Sequence, residues 1–313
     1  MIDSHITLKK FEIFLSFMQK GNIGLVAEEL NLSNVSVHRA LHTLEDDISC
    51  PLFVHNGRLL QPLPAAHTFA EYVKEILRLT EQAIEATQQT AGFNKEKLRV
   101  GSMYSLTLET VPKILMDFKL RKPDIAVDLI MGSNQELLDK LKNGQLDAIL
   151  ISISESVIDK NIFETLPLFK DKLFMAGHIS SPLLSRKKAD LQEFRDQKFI
   201  ALGEGFATYH SFNKVFANTN FEPDISLYVN DIFSLINLVS AGVGFSLLPG
   251  RIKSAYTNTI KMIPFDAPYS VSQQIGLVFL KAREHTHYMR ALVASSRVYS
   301  LSVHEPIAPD STL

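Results

Sequence analysis

Apolar residues near the start of the chain recur at three- and four-residue steps, in three sets separated by short polar breaks. Leu8, Phe11, Phe14, Leu15 and Met18 make the first set, which stops near Lys20-Gly21-Asn22, where Gly21 suits a C-cap. Ile23, Val26, Ala27 and Leu30 make the second. Val37, Ala40, Leu41, Leu44 and Ile48 make the third, entered through Ser33 as a candidate N-cap. Three amphipathic helices are predicted, and the turn of about three residues around Asn31 to Ser33 makes the last two a helix-turn-helix. The segment CPLFVHNGRLLQPLP then places His-Asn-Gly between apolar runs, which predicts a hairpin, or wing.

From about Pro64 to Gly92 the pattern lengthens. Phe69, Tyr72, Val73, Ile76, Leu79, Ala83, Ile84 and Ala86 fall on one seam of a single long helix. A small domain cannot cover so long a seam, so a partner chain is the expected cover. GFNKEK breaks the helix and reads as a hinge. Beyond it, strand-like runs (KLRVGSM, AVDLIMG, LDAILIS) alternate with helical ones (Leu108 to Lys122, Gln135 to Lys142), which predicts parallel strands with crossover helices. KFIALGEG, ISLYVND and GFSLLPG, with helices near Tyr209 to Asn218 and Phe233 to Ala241, repeat the pattern. The late strand QQIGLVFLKA and a helix from about Thr286 to Tyr299 are assigned back to the first set, so the chain crosses between two α/β lobes. The tail after Leu301 reads as disordered.

Composition narrows the class. The 313 residues, 46% hydrophobic and 21% charged, suit two or three compact units. One cysteine, Cys50, excludes a disulfide framework and points to a reducing compartment. Neither a secretory signal nor a run of about 18 apolar residues is visible, so a cytoplasmic protein without a membrane span is expected. The first 66 residues hold five lysines and arginines against seven aspartates and glutamates. The basic surface usual for a nucleic-acid binder is therefore missing, and any DNA contact depends on locally placed groups.

The outer face of the third helix supplies such groups. Ser33, Asn34, Ser36, His38, Arg39, His42 and Thr43 can reach base edges or phosphates, and Asn56 and Arg58 on the wing extend the same candidate surface. His38 and His42 also have the spacing of two metal ligands on one helix face, but the glutamate of the zinc-protease motif is absent, and no metal or cofactor is expected. GEGFATY and AGVGFS lack the full dinucleotide spacing, and no nucleophile elbow or phosphate-binding lysine loop occurs, which argues against an enzyme. In open α/β sheets, ligands bind beyond the carboxyl ends of strands. Those ends carry Ser102, Tyr104, Ser105, Thr107, Asn134 and Ser152 in the first set, and Thr208, Tyr209, Asn230 and Ser246 in the second. Hydroxyls beside helix N-termini suit a small polar ligand, most naturally a carboxylate.

AEELNLSNVSVHRALHTLE followed by CPLFVHNGR resembles the LysR-type transcriptional regulators, and the resemblance runs to about Leu301 through GQLDAIL, LPLFKDKL and AGVGFSLLPG. Histidine stands at positions 42 and 55, where many relatives carry a basic residue, and Leu63 to Ala66 replaces the family's usual Leu-Thr-x-Ala-Gly. The resemblance implies an α/β protein with an N-terminal winged helix-turn-helix (1–66), a dimerising linker helix (67–92) and a periplasmic-binding-protein-like effector domain (96–301). Lobe I would take about 96–163 and 269–301, and lobe II about 164–268. Operator DNA and a second copy of the chain, as homodimer or homotetramer, are the implied partners. Within the family, SVHRALHTLE, GSMYSLTLETVP, MGSNQ, EGFATY and VNDIF look most like regulators of malonate decarboxylase genes, which makes malonate the expected effector. The alternative is a solute-binding protein or carboxylate-processing enzyme on the same two-lobed fold, against which the first 66 residues count.

Overall fold

The helix-turn-helix is assembled from caps that the sequence supplies. Helix α1 (Leu8–Lys20) starts where the Thr7 hydroxyl accepts from the Lys10 backbone N–H, and it ends at Gly21, whose φ of 63° favours glycine. Asn22 caps α2 (Ile23–Glu29) by accepting from the N–H groups of Gly24 and Leu25. Asn31, also left-handed at φ 53°, turns the chain, and the Ser33 hydroxyl caps α3 (Asn34–Asp47) by accepting from Ser36 N–H at 3.1 Å. Strands β1 (Phe53–Asn56) and β2 (Leu59–Pro62) pair antiparallel as the expected wing. Fully buried Phe14 and Phe17 lean on Phe53, and Phe14 also meets Phe69 edge-on at 5.3 Å, so the wing and α4 (Pro64–Thr90) share one core with α1.

The computed structural model describes residues 5–56, 59–90, 97–154, 158–217, 219–266 and 269–304. Its two units are Met1–Asn94 and Lys95–Leu313. The wing turn with Arg58, residues 92–96 of the expected hinge and the tail from 305 lie outside the described residues.

In the second unit β3 (Lys97–Ser102) runs parallel to β4 (Ala126–Met131) and β5 (Ala148–Ile153), with α5 (Thr110–Arg121) and α6 (Asn134–Lys142) as crossovers. Two strands were not foreseen, one at Ile260–Pro264 and the other β6 (Phe163–His178), the longest among the described residues. Lys170, Asp171 and Lys172 interrupt its apolar run and hide it from a pattern search. Next come β7 (Lys198–Leu202), α7 (Ala207–Phe216), β8 (Asp224–Val229), α8 (Ile232–Ser240), β9 (Ser246–Pro249), β10 (Ile260–Pro264) and β11 (Ser272–Leu280). Helix α9 (His287–His304) closes the unit, running beyond the expected end near Tyr299 and through the first residues of the expected disordered tail.

The sheet is mixed where a parallel one was expected. Among the described strands, β3–β4, β3–β5 and β7–β8 pair parallel; β6 pairs antiparallel with β11, β9 and β10, and β11 pairs antiparallel with β5. Residues Phe163–Lys172 of β6 lie against β11, and Leu173–His178 against β9 and β10, so one strand runs through both lobes. A bulge between Ile275 and Gly276 bends β11 beside it, and a Cβ at 276 would come within 2.2 Å of Ile153 Cδ1. Lobe I is cored by Leu98, Ile114, Phe118, Leu137, Ile149, Leu277 and Leu292. Lobe II has Phe194, Phe199, Phe212 and Phe216 on one side of its sheet and Ile200, Leu235, Ile236 and Leu248 on the other.

Candidate nucleic-acid interface and ligand cleft

On α3 the buried stripe is Val37, Leu41 and Leu44, and the remaining face points outward. Asn34, Ser36, His38 and Arg39 are exposed, whereas His42 and Thr43 are half-buried. Ser33 and Ser36 also share a hydrogen bond between their hydroxyls at 2.8 Å, and the Thr43 hydroxyl donates to the Ala40 carbonyl. Sequence reasoning passed over Val35, which is 75% exposed in the first turn of α3. An apolar group there can meet a thymine methyl, and its wrong-face position in the helical pattern was the available sign. Asn56 ends β1, its side chain outside the described residues. Glu45 ties the two elements together: its Oε1 accepts from the backbone N–H groups of Leu52 and Phe53 at 2.7 and 2.9 Å.

Among the described residues of the second unit, a larger and a smaller cavity lie between the lobes. The larger, about 530 Å³, is lined by Asn134, Ser152 and Gln274 from lobe I and the shared strands, and by Gly205, His210 and Lys214 from lobe II. The smaller, about 20 Å³, is lined by Tyr104, Ser105, Thr208 and Arg251, among others. Ala207, at the start of α7, touches both. Among the described residues no side chain caps α7; the Tyr209 N–H donates to the Phe206 carbonyl, and the N–H groups of Ala207 and Thr208 form an anion-favouring edge. Helix α6, by contrast, is closed by a capping box of Ser133 and Glu136.

A buried polar network joins the lobes here. Arg251 donates from Nε to Ser105 Oγ (2.9 Å), and from Nη1 to Asp171 Oδ2 (2.8 Å) and Gln273 Oε1 (3.1 Å). Gln273 Nε2 in turn donates to Thr208 Oγ1 and Ser211 Oγ. Burial pulls the Arg251 pKa below the usual arginine value, while the neighbouring Asp171 charge and its hydrogen bond oppose that shift. Asn134 Nδ2 donates to the Ser152 carbonyl, and its Oδ1 is buried without a donor among the described residues.

Of the ten cleft residues expected from strand ends, Asn134 and Ser152 line the larger cavity, and Tyr104, Ser105 and Thr208 the smaller. The other five line neither. Ser102, Thr107 and Ser246 spend their hydroxyls on the carbonyls of Met103, Tyr104 and Ile200. Tyr209 turns its ring towards His210, and Asn230 sits exposed by Gly203. Asp171, His210, Ser211, Lys214 and Gln273 escaped sequence reasoning. His210, Ser211 and Lys214 lie one to two turns into α7, a helix whose start was foreseen, while Asp171 belongs to β6, a strand that was missed.

A helix-turn-helix with a wing, joined in one chain to a two-lobed unit with a cleft, defines a ligand-responsive regulator. Residues 8–67 match the bacterial regulatory helix-turn-helix protein model of the lysR family, and residues 91–298 match the LysR substrate binding domain. The chain belongs to the LysR family. It is 48% identical over 303 residues, 97% of this chain and 98% of the relative, to the malonate utilization transcriptional regulator of Klebsiella pneumoniae. Its fold is that of full-length CbnR complexed with its target DNA (TM-score 0.64, 20% identity, 94% of this chain and 100% of that one). The effector binding domain of QuiR in complex with shikimate matches too (TM-score 0.59, 24% identity, 67% of this chain and 99% of that one). Among the described residues no helix is long and apolar enough to cross a membrane.

Proposed function

We propose that this protein is a cytoplasmic transcriptional regulator that binds malonate in its inter-lobe cleft and controls malonate-utilisation genes. The observation that carries this reading is the 48% identity, end to end, with a regulator named for malonate utilization. The cleft chemistry agrees with a small dianion. Lys214, His210 and the uncapped start of α7 border the 530 Å³ cavity, and Thr208 and the Arg251–Ser105 pair stand behind it. Each carboxylate takes charge-assisted bonds from a different side, and contacts made to both lobes at once favour the closed state. In the other unit α3 enters the major groove of operator DNA, with Ser36 and His38 towards bases and Arg39 and Arg58 towards phosphates. Residues 1–66 are the DNA-binding part, 67–92 the linker and 96–301 the effector domain. A second copy covers the linker seam, where Tyr72, Ile76, Leu79 and Ile84 are exposed.

Calorimetry with malonate tests the ligand and the pocket separately. Wild-type protein binds malonate, and Thr208→Ala or Lys214→Ala weakens binding by about 1.5–3 kcal/mol, as for a lost bond to a charged group. Absence of malonate binding by the wild type refutes the ligand. Binding that both variants leave unchanged refutes this pocket.

A further inference from the structure

The sequence places His38 and His42 one turn apart on α3; folding brings His55 of β1 to the same spot. The candidate ligand nitrogens of the three rings all lie within 4.8 Å of one another. Their ring centroids are 4.5 Å (His38–His42), 6.1 Å (His42–His55) and 6.3 Å (His38–His55) apart. We infer that these three imidazoles form a binding site for a borderline divalent transition metal, with zinc as its representative, clamping the wing to α3.

Neutral imidazole is a preferred donor for zinc, nickel and copper, whereas magnesium and calcium favour oxygen, and this cluster offers nitrogen. Zn–N bonds of about 2.0–2.1 Å in tetrahedral geometry set ligand nitrogens about 3.3 Å apart. Small rotations of solvent-facing rings close the remaining distance, and exposed side chains make such rotations within nanoseconds. His42 is already held from one side. Its Nδ1 lies 3.3 Å from Glu45 Oε2, which leaves Nε2 for the ion in a carboxylate–histidine–metal arrangement. Glu45 is itself held by the two backbone N–H groups at the start of the wing, so the elements carrying the ligands are joined before any ion arrives. Three protein ligands leave the fourth position to solvent, on the outer surface of the unit.

The test needs neither DNA nor malonate, so it stands or falls apart from the proposed function. Zinc chloride is titrated into metal-stripped full-length protein at about pH 7.5, where free imidazole is mostly neutral. One equivalent binds per chain, and the melting temperature of the N-terminal unit rises, because the ion binds only the folded arrangement. His38→Gln and His55→Gln each weaken zinc binding more than about tenfold and abolish the thermal shift, at least the loss seen when an outer-shell partner is removed. His285→Gln, outside the cluster, leaves both unchanged, and magnesium chloride gives no binding heat. The inference is overturned if the wild type takes up no zinc. It is overturned equally if both cluster variants, folded by circular dichroism, bind zinc as the wild type does.

Discussion

Replacing Asp171 by asparagine conserves volume and removes one charge from the middle of the inter-lobe network. Asp171 and Arg251 expose only 9% and 8% of their side chains, so water does not screen what the substitution uncovers. The guanidinium keeps Ser105 and Gln273 as acceptors, yet it has lost the only anion bonded to it among the described residues. Breaking a buried pair from one side costs about 3–5 kcal/mol, chiefly because an uncompensated charge stays in the interior. The asparagine carbonyl can still accept from the Arg251 backbone N–H, as Asp171 does at 3.2 Å, which puts the expected loss near the lower end. For a unit of this size each kcal/mol lowers the melting temperature by about 2–4 °C, so a fall of roughly 6–12 °C is expected. Scanning calorimetry of the full chain measures it on the transition of larger enthalpy, which belongs to the larger unit. The double variant Asp171→Asn with Arg251→Gln restores charge balance and should recover more than half the loss. A single variant melting within about 2 °C of wild type refutes the reasoning, as does a double variant no more stable than the single one.

Other outcomes follow from the same structure. Glutamate at Ile76 or Leu79, which are 40% and 51% exposed on α4, should halve the sedimenting mass and lower operator affinity together; a dimer that persists places the interface elsewhere. Arg39→Ala should flatten the salt dependence of DNA binding by about one unit if it meets a phosphate, which titrations at several salt concentrations will read. Burial raises the Tyr299 pKa above its ordinary value, so above about pH 10 the unfolded chain loses this proton before the folded one does. Stability should therefore fall as pH rises through that range. Tyr299→Phe should flatten the slope while costing about 1 kcal/mol for the lost bond to Thr110, as denaturant melts across the range would show.

The N-terminal unit was legible in the sequence because its determinants are local. Ser33 caps the helix it precedes, Gly21 ends the one it follows, and the stripe Val37, Leu41, Leu44 lies on one face by helical period alone. The long seam of α4 was visible for the same reason, and so was its need for cover. The cleft was legible only in part. Strand ends named Ser105, Thr208 and Asn134, because a strand followed by a helix puts the intervening loop at the ligand edge. Which hydroxyls face the cavity and which turn back to a carbonyl, as Ser102 and Ser246 do, depends on side-chain torsions that packing sets. Asp171, Arg251 and Gln273 stand far apart in the chain and meet only because β6 runs through both lobes with β11 antiparallel beside it. His55 joins His38 and His42 by the same kind of event, the closing of a hairpin onto a helix. Local propensity and period act over a few residues, whereas these sites are contacts between distant segments, and only tertiary packing sets the distances that make them.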